Sequence, residues 1–323
     1  MSDLPTPSGG SAGATSRGPA RATPRRPFGA MLTAMVTPFD ADGALDLAAA
    51  QRLATHLVDH GHDGLVISGT TGESPTTTDA EKESLLRAVI EAVGERAQVV
   101  AGVGTNDTRH SVELAEQAAK AGAHGLLVVT PYYNKPPSES LVAHFTVVAD
   151  ATGLPCMLYD IPGRTGTRIG TPVLQRLSEH PRIVAVKDAT GDLYAGSQLM
   201  ATTPLAYYSG DDALNLPWLA LGASGVVSVV GHVAGAEYAQ MVAAVDAGDL
   251  PAARAVHTRL LPVVNGIMSQ ASQGAIRAKA ALQLTGVLPS RMTRLPLLPA
   301  SDEETVAVRD ALVAGGLLPG VAA

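Results

Sequence analysis

Lysine is among the residues least often buried without a partner, yet "IVAVKDATGD" at 183–192 carries Lys187 at the end of an apolar run that reads as a buried strand. Desolvation of an ammonium there lowers its pKa from about 10.4 toward the range of about 7 to 8 that suits a nucleophilic amine. A neutral amine of that kind attacks a carbonyl and forms a Schiff base. The competing reading is a lysine that reaches out to solvent or pairs with Asp188 or Asp160. Tyr159 ends a second run in "CMLYDIPGRTG", and Tyr132 and Tyr133 follow a third. A phenol relays protons when other hydroxyls hold it, and "SGTTGES" supplies Thr70, Thr71 and Ser74. Tyrosines at strand ends often only pack, but aromatics make up just 3% of this chain, so several on one rim favour chemistry. Arg164, in the Gly- and Pro-punctuated loop after Tyr159, suits a carboxylate gripped by two parallel hydrogen bonds, or else bridges two loops.

Other chemistries are less well served. "GTTGES" can aim backbone N–H groups at an anion, but it lacks the lysine of a phosphate loop. "GVGTN" at 102–106 is only a partial dinucleotide fingerprint. His56, His60 and His62 cluster before the second strand and read as surface histidines, while Asp211 and Asp212 could hold a divalent cation, although such residues more often cap the helix that follows. Cys156 reads as a small core residue. No metal site is expected.

These residues need elements that bring them to one place. Eight apolar runs, at 30–36, 64–68, 98–102, 125–129, 156–159, 183–187, 205–209 and 225–229, alternate with amphipathic helical stretches. Their apolar residues run continuously, so both faces of each strand must be covered. In "TTTDAEKESLLRAVIEAVG", Thr78 and Glu81 have the spacing of a capping box, and Gly94 can end the helix. Eight such units predict an α/β fold, a (β/α)8 TIM barrel, in preference to a doubly wound sheet. The polar and Gly-rich clusters fall just after the strands, on the face where barrels build their sites. The expected organisation is a disordered tail over 1–27, barrel strands and helices over 28–232, and the last barrel helix with a C-terminal helical extension over 233–323.

A net charge of −7 argues against a nucleic-acid partner, and no apolar run is long enough to cross a bilayer. The twin arginine at 25–26 is not followed by a small-residue cleavage site, so an export signal is not expected. One cysteine cannot form an intrachain disulfide, which suits a reducing cytoplasm.

Taken in order, "SGTTGESPT", "TPYYNKP", "YDIPGRTG", "VKDATGD" and "SGDDALNLPW" resemble the dihydrodipicolinate synthase family of pyruvate Schiff-base lyases, over about residues 28–300. The resemblance implies a barrel with a C-terminal helical extension, assembled as a homotetramer of two tight dimers. It implies condensation of pyruvate with L-aspartate 4-semialdehyde, in lysine and diaminopimelate biosynthesis, with no cofactor beyond a pyruvate imine on Lys187. By the same resemblance Tyr159 relays protons with Thr70 and with Tyr133 of a neighbouring subunit. Arg164 holds the semialdehyde carboxylate, Thr71 binds the pyruvate carboxylate, and the backbones of Gly210 and Val227 line the pocket. Lysine-inhibited members carry His and Glu where this chain has Lys82 and His110, while Asn106 and Tyr132 match the effector site. Weak or absent inhibition by lysine is therefore expected. The alternative within the superfamily is an N-acetylneuraminate or 2-keto-3-deoxy-sugar-acid aldolase, and a noncatalytic keto-acid binder is a further reading.

Overall fold

Strands that are apolar on both faces are stable only between two layers of side chains, and a closed parallel barrel supplies both. The computed structural model, which describes residues 25–268 and 273–320, has this architecture. Strands β1 (Met31–Ala34), β2 (Gly64–Ile67), β3 (Gln98–Gly102), β4 (Gly125–Val129), β5 (Cys156–Asp160), β6 (Ile183–Asp188), β7 (Ala206–Ser209) and β8 (Gly225–Ser228) pair in chain order. All these pairings are parallel, and β8 closes on β1 through Leu32 and Val227. The doubly wound alternative is thereby excluded.

Alternate residues of a strand face opposite sides. Leu32, Val66, Val100, Met157, Ala185 and Tyr208 therefore meet in one cluster inside the barrel. Their neighbours Leu65, Val99, Leu158, Val186 and Tyr207 join the larger cluster beneath the helices. That outer layer comprises α1 (Leu47–Asp59), α2 (Asp79–Val93), α3 (Thr108–Ala121), α4 (Ser138–Asp150), the single turn α5 (Pro162–Thr165), α6 (Thr171–Leu177), α7 (Leu193–Thr202), α8 (Asn215–Leu221) and α9 (Gly231–Asp246). The expected capping box is present at the start of α2, with Thr78 accepting from the Glu81 amide, and Gly94 caps its end.

The C-terminal extension consists of α10 (Leu250–Ile267), α11 (Gly274–Leu284) and α12 (Asp302–Ala314). It is not helical throughout, as the sequence had suggested. Residues 285–301 form an irregular strap between α11 and α12. Pro289, Pro296 and Pro299 lie in it and lack the N–H that a helix needs. Residues 1–24 of the expected tail lie outside the described residues. At 25–27 the chain is already fastened, since Arg26 Nε donates to Ser224 O at 2.8 Å. His62 corrects the reading of surface histidines. It is 3% exposed, its Nε2 lies 2.7 Å from Thr33 Oγ1 and its Nδ1 lies 2.6 Å from Leu57 O.

Candidate active site

Tyr159 and Lys187 are register partners on neighbouring strands, each one residue before its strand ends. The alternation that puts Met157 and Ala185 inside the barrel turns both side chains the same way. Lys187 Nζ consequently lies 4.2 Å from the centre of the Tyr159 ring. Lys187 is 4% exposed. Burial lowers its pKa to about 8, with the Asp212 carboxylate raising it and the Arg164 guanidinium lowering it further. The chain thus pre-forms an amine that is partly neutral near neutral pH. Burial raises the Tyr159 phenol to about 12, against which Arg164 and a hydrogen bond with Thr70 favour its ionised form. Gly210 makes room for Lys187: a Cβ there would lie 3.0 Å from Lys187 Cγ and 3.1 Å from its Cε.

Beside Tyr159 opens a cavity of about 190 Å3 lined by Thr70, Tyr132, Tyr159, Arg164 and residues of the loops after β2 and β3. A second cleft, about 620 Å3, runs past Gly210 and Asp211 to Asn265 and Met268 at the end of α10. Arg164 stands at the edge, exposed on α5, with Nη1 donating to Gln273 Oε1 at 2.6 Å. Thr71 is buried next to Thr70, and Val227 packs in the same barrel-interior cluster as Tyr159. Lys187, Tyr159, Thr70 and Arg164 are thus brought together, with Thr71, Gly210 and Val227 around them.

Tyr133 is the exception. It is 90% exposed with φ of 74°, so within one chain it stands in solvent away from the amine. The effector candidates fall into two pairs. Lys82 Nζ lies 3.6 Å from one oxygen of Asp79, and His110 Nε2 lies 2.9 Å from the other. Asn106 O accepts from Asn134 Nδ2 at 2.9 Å, which ties it to the loop carrying Tyr132.

Asp211 caps the turn that follows it, its side chain accepting from the Ala213 amide. Asp212 has a different role, missed in the sequence. It is 2% exposed and accepts from Ser228 Oγ, from Asn215 Nδ2 at 3.0 Å, and from the amides of Val229 and Val230 at 2.8 and 3.0 Å. These bonds tie the loop after β7 to the end of β8 and keep a carboxylate in the field of Lys187. Its only sequence signal was its place in "SGDDA". Among the described residues, no group of three or more His, Cys, Asp or Glu side chains is assembled for a metal.

A profile of the Dihydrodipicolinate synthetase family matches residues 27–314. The chain belongs to this family. It is 67% identical over 298 residues to the 4-hydroxy-tetrahydrodipicolinate synthase of Kineococcus radiotolerans, covering 92% of this chain and 96% of that protein. The structure of dihydrodipicolinate synthase from Cyanidioschyzon merolae with lysine bound superimposes with a TM-score of 0.88 at 42% identity, over 91% of this chain and 100% of that one. The chloride-inhibited enzyme of Acinetobacter baumannii, complexed with pyruvate, gives a TM-score of 0.85 at 34% identity, over 90% and 99% of the two chains.

Proposed function

We propose that this chain condenses pyruvate with L-aspartate 4-semialdehyde to 4-hydroxy-tetrahydrodipicolinate, a lyase reaction of lysine and diaminopimelate biosynthesis. The observation that carries the reading is the buried Lys187 amine, with a pKa of about 8, set 4.2 Å from the Tyr159 ring at the mouth of the barrel. Membership of the family and the name carried by a 67% identical relative support the same reaction.

In this scheme neutral Lys187 adds to the keto carbon of pyruvate, and loss of water leaves a protonated imine. Thr71 receives the pyruvate carboxylate, and the backbones of Gly210 and Val227 line the pocket. The imine acidifies the pyruvate methyl group, and Tyr159 with Thr70 carries its proton away, leaving an enamine. The enamine carbon attacks the semialdehyde, whose carboxylate Arg164 holds, and the aldehyde oxygen is protonated. The amine of the joined semialdehyde then adds to the imine carbon, closes the ring and expels Lys187. The lysine imine does the work of an electron sink, so the chemistry calls for no metal or organic cofactor.

The second-subunit role of Tyr133 is part of the proposal, supported by its 90% exposure in the loop after β4, next to the cavity-lining Tyr132. A homotetramer built from two tight dimers would supply it. A cytoplasmic location fits the single buried thiol of Cys156, and among the described residues no helix is long and apolar enough to cross a membrane. At the effector site, Lys82 puts an ammonium beside Asp79, where it would repel the amino groups of a bound lysine.

Incubation with pyruvate and borohydride, followed by peptide mass spectrometry, tests the reading. A reduced pyruvyl adduct on Lys187, absent in Lys187→Ala, with pyruvate-dependent turnover of the semialdehyde is the expected result. An adduct with faster cleavage of sugar acids than condensation would transfer the chain to the aldolase branch. Absence of any adduct would overturn the mechanism.

A further inference from the structure

The turn that presents Thr70 and Thr71 is gripped from an unexpected direction. It lies between two non-glycine residues with left-handed backbone, Ser68 with φ of 58° and Glu73 with φ of 55°. Each such residue costs about 1 kcal/mol or more and persists only where its surroundings hold it. Within the turn, the Glu73 amide donates to Thr70 O at 3.1 Å, and Thr37 Oγ1 donates to Gly72 O at 2.6 Å. The Glu73 side chain is 1% exposed. One of its carboxylate oxygens accepts from Lys279 Nζ of α11, and the other accepts from the Arg294 amide of the strap at 2.9 Å.

Lys279 is fully buried and also donates to Met292 O at 2.7 Å. Its ammonium and the Arg294 guanidinium each lie 4.3 Å from the Phe39 ring, in the loop after β1. Arg294 continues along the rim, donating to Gly43 O, Thr76 O and both oxygens of Glu81. The C-terminal segment thus holds the loops after β1 and β2 with ionic and hydrogen-bonding groups, although the neighbouring core is apolar.

A buried ion pair is poor value as a stabilising device, because well-packed apolar residues of the same volume often do as well or better. What the pair supplies here is direction: it fixes the carboxylate of the residue whose amide holds Thr70. We propose that Lys279 is a positioning residue which, through Glu73, sets Thr70 and Thr71 for proton transfer from the pyruvate imine. The C-terminal segment is by this route part of the catalytic apparatus. The inference rests on the roles given above to Lys187, Tyr159 and Thr70.

The test compares full-length wild type with Lys279→Met, Glu73→Gln and the double variant. Three quantities are read on each: borohydride-trappable adduct on Lys187, exchange of the pyruvate methyl protons into deuterated water, and thermal midpoint. Methyl exchange reports the proton relay apart from imine formation. Both single variants are expected to trap pyruvate on Lys187 but to lose methyl exchange and kcat by about 10- to 100-fold, the scale of a misplacement of about 1 Å. The double variant, free of an uncompensated buried charge, is expected to recover thermal stability without recovering exchange. It keeps the test decisive if a single variant does not fold. Folded variants with wild-type exchange and kcat, whatever their thermal midpoints, would overturn the inference. A wild-type enzyme that traps no pyruvate would instead overturn the reading of the site itself.

Discussion

The basicity of Lys187 is set by two opposed neighbours, and this leads to a prediction with two signs. With its pKa at about 8, about one amine in ten is neutral at pH 7, against about one in three thousand for the ordinary value of 10.5. Burial thus raises the reactive fraction about 300-fold, equivalent to about 3 kcal/mol. The rate of imine formation, measured with pyruvate alone, should climb about tenfold per pH unit below the Lys187 pKa and level off above about 8. Asp212 raises that pKa and Arg164 lowers it. Asp212→Asn should therefore move the acid limb to lower pH, and Arg164→Gln should move it to higher pH. The asparagine is tolerable on structural grounds. Its oxygen can keep accepting from the Val229 and Val230 amides, and its amide can donate to Asn215 Oδ1 once the Asn215 amide, whose Nδ2 faces Asp212, turns over. The assay mixes enzyme and pyruvate from about pH 6 to about pH 9, quenches into excess borohydride, and counts adduct by intact mass against time. Omitting the semialdehyde separates the electrostatic effect of Arg164 from its role in binding. Displacement of both limbs in one direction, or a wild-type limb near the ordinary lysine value, would refute the reasoning.

Gly210→Ala should slow imine formation by at least about tenfold, because its Cβ meets Lys187 Cγ at 3.0 Å, while overpacking costs stability about 1 to 3 kcal/mol; adduct kinetics and thermal melting check both. Lysine at sub-millimolar concentration should leave turnover unchanged, and half-inhibition there would contradict the reading of Lys82 and His110. Burial depresses His62 to about 3 and His232 to about 4 from an ordinary 6.5. The unfolded chain therefore binds more protons than the folded one between those values. Stability should be fully present above about pH 6.5 and fall as pH drops toward 3 to 4, and His232→Gln should flatten the urea-unfolding profile over that window. Dilution to dissociated subunits should abolish turnover while the barrel remains folded, as followed by sedimentation and circular dichroism; full activity in a monomer would remove Tyr133 from the site.

The strands were legible because their apolar runs are continuous and polar or Gly-rich clusters follow them. Runs 98–102 and 125–129 coincide with β3 and β4, and the others differ from the observed strands by a residue or two at their ends. Lys187 and Tyr159 stood out for the same reason, as polar groups where a buried strand should have none. What escaped was long-range pairing. Lys279 and Glu73 lie 206 positions apart, and nothing local distinguishes a lysine in an alanine-rich helix from one on a solvated face. Gln273 meets Arg164 across 109 positions and was invisible for the same reason. The strap at 285–301 was missed because its prolines were outweighed by the helical composition around them. His62 was misassigned because its neighbours His56 and His60 do lie on the end of α1, whereas the turn after them carries His62 inward onto Thr33.

The pairing of Tyr159 with Lys187 on adjacent strands has a bearing on redesign. Both residues are placed by the backbone ladder of β5 and β6, whereas Arg164 sits on a four-residue turn outside it. On the proposed mechanism, the half of the reaction that makes the enamine nucleophile is therefore anchored in the frame, and the grip on the aldehyde acceptor is delegated to an appendage. Exchanging residues 161–170 for other loops of equal length should yield catalysts that still activate pyruvate but join it to different aldehydes.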